Sequence, residues 1–140
     1  MELTYADVVE GVRATIARYA QALDDGRTDD IVATFCPDGV CDIPGMGTHT
    51  GHDALREAFA KWKPRLPQRH LVLNTLVSEW DAREATAISD VVFLLWGDTG
   101  WAIKLVGRYH DVFHQGEGSW LLHHRTATFL TEPPPRGRAP

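Results

Sequence analysis

Apolar residues recur at steps of three and four through Val9, Val12, Ile16, Tyr19, Ala20 and Leu23, the spacing of one helix face. Thr4 is placed as an N-cap with Asp7 three residues on, so the pattern predicts a helix over residues 5–25. At about 100° per residue, Asp24 falls on the rim of that apolar face and Asp25 on the opposite side. Gly26 supplies the stop. A carboxylate on the rim of a core-facing stripe looks into a cavity; the plainer alternative is an exposed helix-end acid. A second, short helix is expected over residues 28–35, capped by Thr28, with Ile31, Val32 and Phe35 as its apolar face and Pro37 beyond its end. Residues 40–43 read as a brief strand. The Pro- and Gly-containing stretch 44–50 reads as a loop. Residues 51–63 read as a third helix with Leu55, Phe59 and Trp62 in register.

Beyond Pro67 the period changes. Segments 69–80, 85–96, 101–113 and 120–131 are rich in β-branched, aromatic and leucine residues. The polar breaks between them, Asp81 to Glu84, Gly97 to Gly100 and Gln115 to Gly118, have hairpin length and composition. Helices followed by a meander make an α+β pattern. The strands exceed the usual length of about five or six residues, and long strands coil because of their built-in twist. The expected architecture is a cone: a curved antiparallel sheet, an α+β barrel, wrapped around a long N-terminal helix, with three N-terminal helices in all. Its open end forms a pocket. Residues 1–131 are expected to form one domain, and 132–140, rich in Pro and Arg, a flexible tail.

Composition narrows the partners. The chain of 140 residues is 44% hydrophobic and 24% charged, enough for one domain with a real core. A net charge of -5 argues against nucleic acid and anionic membrane, which need a basic face. No apolar run approaches the ~20 residues of a membrane span. The start MELTYADVVEG has no basic n-region or apolar block, so a cytoplasmic location is expected. Cys36 and Cys41 are expected to be free thiols there.

Strand alternation puts His70, Val72, Asn74 and Leu76 on one face. Asn74 is then placed to anchor a substrate oxygen. Tyr19, one turn before Leu23, either donates to a developing enolate oxygen or is a core tyrosine. Met46, Phe35, Trp62, Trp96 and Phe129 are candidates for apolar pocket walls, with core packing as the alternative for each. Met46 lies in a stretch able to flap over the mouth. Asp90 must sit at the rim or be paired. Tyr109 and Asp111 share one face of their strand and Arg108 and His110 the other; which face lines the cone stays open, as it does for His124 and Arg125. His110 and His114 would lie about 13 Å apart on a strand and His123 and His124 would point to opposite faces. No metal site is expected, and no phosphate loop, dinucleotide fingerprint or nucleophile elbow is present.

The chain resembles the SnoaL-like branch of the NTF2-like (ketosteroid-isomerase-like) superfamily over residues 6–130. The matching pieces are the helix ending in Ala22-Leu23-Asp24, then Phe35 and Asp38, Gly51-His52-Asp53-Ala54-Leu55, His70 with Asn74, Gly107-Arg108-Tyr109-His110-Asp111, and Trp120 with Arg125. The resemblance implies a cone-shaped α+β barrel and a homodimer paired through the sheet. Its members include scytalone dehydratase, a dehydrochlorinase, steroid isomerases and polyketide cyclases. In the dehydratase and dehydrochlorinase, an aspartate ending the first helix pairs with a histidine early in the sheet, and those positions resemble Asp24 and His70. The dehydrochlorinase also uses a lysine and a late-strand arginine. Tyr19 stands near the lysine's place, and Arg108 and Arg125 are the candidates for the arginine.

A carboxylate holds an imidazole in one tautomer and stabilises the imidazolium once it takes a proton. The expected function is therefore a cofactor-independent lyase, isomerase or polyketide-type cyclase acting on a small apolar ring-containing molecule. His70 is the expected acid–base, Asp24 its orienter, and Tyr19 and Asn74 position the substrate. The alternatives are a non-catalytic small-ligand binder or dimeric scaffold, and a structural subunit of a larger oxygenase.

Overall fold

The computed structural model describes residues 2–130; the tail expected at 132–140 lies outside the described residues. Among the described residues there are three helices, α1 (Tyr5–Asp24), α2 (Thr28–Val32) and α3 (His52–Lys61), and six strands. The strands are β1 (Phe35–Ile43), β2 (Gly47–Thr50), β3 (Gln68–Trp80), β4 (Glu84–Gly97), β5 (Gly100–Gln115) and β6 (Trp120–Phe129). They form one curved, unclosed sheet in the order β2-β1-β6-β5-β4-β3. The meander β3 to β6 is antiparallel throughout, while β1 runs parallel to β6. The sheet is therefore mixed at that one pairing.

α1 begins in a reciprocal cap: the Asp7 N–H donates to Thr4 Oγ1, and the Thr4 N–H donates to Asp7 Oδ2. Its apolar stripe, including Val8, Val12, Ile16 and Tyr19, is buried in the hollow of the sheet. The helix runs against the direction of β3. Near its N-terminus, the Tyr5 hydroxyl donates to the Val77 carbonyl at 3.0 Å; at its C-terminus, Asp24 accepts from the His70 N–H at 2.8 Å. Midway, Thr15 Oγ1 donates to the Trp120 carbonyl. An alanine Cβ at Gly11 would clash with Trp120 Cδ1. Glycine, unfavourable within a helix, is required there by the approach of β6.

Several expectations for the chain are corrected. α2 stops at Val32, so Phe35 opens β1 and pairs with Leu122 instead of ending a helix. Pro37 is tolerated inside β1 because it lies in the irregular stretch between the Phe35 and Val40 pairings, where a ladder N–H is dispensable. Thr28 does not cap α2. The cap position is Arg27, and Thr28 Oγ1 is buried without a partner among the described residues. The loop expected over 44–50 is a hairpin: β2 pairs with β1 from Val40–Thr50 to Ile43–Gly47. Gly45, at φ +78°, lies in its turn, and Gly47, at φ +85°, opens β2. Finally, His123 and His124 do not point to opposite faces. The β5–β6 register slips between Phe113–Leu122 and Val112–His124, leaving His123 as a bulge. Both rings lie on the outer face, where His123 stacks on His114 and His124 shares a depression with His110.

Both cysteines are free and buried. Burial pushes the Cys41 thiol up to about 12. The folded protein is thus expected to leave Cys41 unlabelled by a thiol reagent at neutral pH, with labelling appearing on denaturation. Gly11→Ala should destabilise the fold by about 1–3 kcal/mol through overpacking against Trp120, read as a lowered denaturation midpoint at unchanged slope.

Candidate functional site

A cavity of about 270 Å³ opens between the end of α1, α3, the β1–β2 turn and the inner face of β3 to β6. Alternation along each strand decides its walls. His70 pairs with Phe93, and Val91 and Phe93 share the inward face of β4. Leu105 and Tyr109 face inward from β5, and Ala127 and Phe129 from β6. Leu23, Phe59, Trp62, Ile43 and Met46 complete the apolar enclosure. Phe129 has room because its opposite residue is Gly107, where a Cβ would meet the Phe129 ring at 2.8 Å.

The polar groups gather on one side. Asp24, the last residue of α1, has a side chain only 5% exposed. Its Oδ1 accepts from His70 Nδ1 at 2.7 Å and from Gln68 Nε2 at 3.3 Å, and its Oδ2 accepts from the His70 N–H at 2.8 Å. A carboxylate cannot donate, so the Nδ1 contact places the ring proton on Nδ1 in the neutral imidazole. Nε2 then has no protein partner among the described residues. The ring is held flat against Phe93, with centroids 4.6 Å apart and planes 22° apart. Two constraints, a carboxylate at one nitrogen and an aromatic face, thus fix His70 at the cavity wall.

The floor holds two phenols. Tyr19 and Tyr109 cross at 85° with centroids 6.4 Å apart, and both line the cavity. Burial, aided by Tyr109 and Cys41 and opposed by Arg125, holds the Tyr19 pKa well above 10. Burial likewise pushes Tyr109 up to about 12. Both are therefore neutral hydrogen-bond donors at neutral pH.

Of the expected site residues, the structure brings His70, Asp24, Tyr19, Met46, Trp62 and Phe129 to this cavity or directly behind it. Three are not there. Asn74 occupies a bulge between the Leu73 and Leu76 pairings, at φ +56°, and donates to Asp90 Oδ2 at 2.9 Å on the outer face. The bulge breaks the alternation that had placed it beside His70. Asp90 accordingly is paired, with Asn74 and with Arg108 at 2.9 Å. Trp96 packs on Trp101 at 5.6 Å and is 46% exposed; it is three residues from inward-facing Phe93 and so points outward. Phe35 is buried core, 6.0 Å from Tyr19 and 6.3 Å from Phe59, behind the wall.

Gln68, Phe93 and Leu105 were not anticipated. Gln68 is two residues before His70, the same-face position on a strand, and the expected strand began one residue too late to include it. The open parity of β5 resolves with Tyr109 and Asp111 inward and Arg108 and His110 outward, and Arg125 is inward on β6.

A family model described as a SnoaL-like domain matches residues 5–126. A Mycobacterium tuberculosis protein of unknown function is 26% identical, with a TM-score of 0.81 over 86% of this chain and 70% of that one. A Novosphingobium aromaticivorans protein provisionally named an aromatic ring hydroxylase is 23% identical, with a TM-score of 0.81 over 94% of each chain. Another from that organism, provisionally named a scytalone dehydratase, is 21% identical, with a TM-score of 0.78 over 99% of this chain and 100% of that one. The last two likenesses are ones of fold. None of the curated proteins compared matches the chain.

Raised pKa values carry a stability consequence. Cys41, Tyr19 and Tyr109 keep their protons in the folded state above the pH at which the unfolded chain loses them. The folded state then binds more protons, so stability falls as pH rises. Stability is expected to be full below pH 9, the ordinary Cys41 value, and to decline through about 12. Denaturant midpoints measured across that range check the slope.

Proposed function

The chain belongs to the SnoaL-like family, and on that footing we propose that it is a cofactor-independent lyase or isomerase, or a polyketide-type cyclase, working by His70 acid–base chemistry. The observation that carries this reading is the 2.7 Å contact between Asp24 and His70 at the wall of an apolar cavity. His70 Nε2 would take a proton from a carbon beside a carbonyl. The electron pair moves to the carbonyl oxygen, and a phenol on the floor donates to it. Asp24 stabilises the imidazolium. The proton then returns to another carbon in an isomerisation, or leaves with a departing group in an elimination.

The cavity supports a particular kind of substrate. Among the described residues no Lys, Arg, Asp or Glu lines it, so a neutral molecule suits it. Its volume of about 270 Å³ lies just below the range of roughly 300–1,000 Å³ usual for drug-sized ligands. A one- or two-ring compound fits that space better than a four-ring one.

A second reading, a carrier that binds such a molecule without converting it, is favoured by the same apolar lining. Hydrogen–deuterium exchange separates the two. The wild type is expected to accelerate deuterium uptake at the carbon beside the carbonyl of a two-ring ketone. His70→Gln should bind that ketone with similar affinity and lose the acceleration by about 10²-fold or more. Equal exchange in both proteins, at the buffer rate, leaves the carrier reading standing and removes the enzyme reading for that ligand.

We also assign the outer sheet face to a second copy of the chain. It exposes Leu71, Leu73, Leu76, Trp96, Trp101 and Ile103, and exposed apolar side chains gathered on one face mark an interface. The Asn74–Asp90–Arg108 set lies on the same face. Sedimentation should find a dimer, and Leu76→Lys with Ile103→Asp should shift it to a monomer. A monomeric wild type would contradict the assignment.

A further inference from the structure

Arg125 is a buried charge outside the Asp24–His70 pair. Its side chain is wholly buried, and so is that of Asp111 on the neighbouring strand. Two parallel hydrogen bonds of 2.8 Å join them, Nε to Oδ1 and Nη2 to Oδ2. The guanidinium carbon lies 4.4 Å from the Tyr19 ring centroid and 3.8 Å from that of Tyr109. The remaining nitrogen, Nη1, is buried with no hydrogen-bond partner among the described residues. Arg125 does not itself line the cavity; the two rings that flank it do.

This arrangement is costly as filling. Burying a charge pair carries a desolvation penalty that apolar residues of similar volume avoid, and an orphaned donor adds to it. Burial works against the Arg125 charge, yet the Asp111 carboxylate beside it, with Tyr109 and Tyr19, outweighs that effect and raises the guanidinium pKa. The cation therefore stays in place, flanked by the two phenol rings.

We propose that Arg125 is a positioning residue: it clamps Tyr19 and Tyr109 into one rigid two-hydroxyl wall against which a carbonyl or hydroxyl oxygen of the substrate docks. Arg125 acts through the phenols and never meets the substrate. Asp111 confines its charge, so the wall selects a neutral oxygen acceptor, not an anion. The inference rests on the cavity being a ligand site, as proposed above.

Binding of two probes with one skeleton tests it: β-tetralone, which has a carbonyl, and tetralin, which lacks it. The quantity read is the ratio of the tetralin Kd to the β-tetralone Kd. Replacing the pair as Arg125→Met with Asp111→Leu removes the charges and keeps the volume. The ratio is expected to fall about tenfold in that variant while the tetralin Kd holds within about twofold, as loss of one or two hydrogen bonds requires. Tyr19→Phe, which keeps the ring and the clamp, should lower the ratio about fivefold, and gives the answer if the double variant does not fold. A ratio unchanged in either folded variant overturns the inference and leaves the cavity reading intact. A wild type that binds neither probe overturns both.

Discussion

One carboxylate joins the helix to the sheet at the place where the cavity begins. Asp24 accepts three hydrogen bonds, from the His70 N–H, the His70 ring and the Gln68 amide. A side chain only 5% exposed needs those partners, because a buried carboxylate without them is severely penalised. The same three bonds fix where α1 ends relative to β3 and how the imidazole is turned. Local structure prepares this. The periodic stripe seats α1 in the sheet, Gly26 at φ +68° ends it one residue past the cap, and Asp24 is left as the last helical residue. The fold and the proposed chemistry thus draw on one interaction.

Below that pair, the floor is organised by a second electrostatic unit, Asp111 with Arg125, and by two rings stacked about it. Between the two units the cavity is almost wholly apolar. Such a medium strengthens both sets of hydrogen bonds and excludes competing water. Its shape also depends on backbone positions that carry no side chain. Gly107 gives Phe129 its room, and Gly11 lets Trp120 close on α1.

Helix α1 and the four-strand meander were legible in the sequence because their periods are long and unbroken. Residues 5–25 and 69–80 were expected where α1 and β3 lie almost residue for residue. Asp24 was legible as a rim carboxylate, and its pairing with His70 came from the family resemblance. What stayed hidden traces to local breaks in periodicity. The bulge at Asn74 turns one residue outward, and the one at His123 puts adjacent histidines on the same side; neither has a signature in alternation alone. Phe35 and Trp96 are large and apolar, which shows that a residue is buried or packed but not against what. Phe35 went to the core behind the wall and Trp96 to the outer face. The face of β5 was decided by its register with β4 and β6, a long-range pairing that a single strand does not encode.

The account stands on the Nδ1 proton of His70 being held by Asp24, leaving Nε2 to face the cavity. Nitrogen NMR of the His70 ring, at a pH where the imidazole is neutral, reads this directly. The predicted result is a protonated Nδ1 and an unprotonated Nε2 in the wild type, with the tautomer population redistributed in Asp24→Asn. A wild-type ring whose proton resides on Nε2 would mean that Asp24 does not orient it, and the acid–base reading of the site would fall.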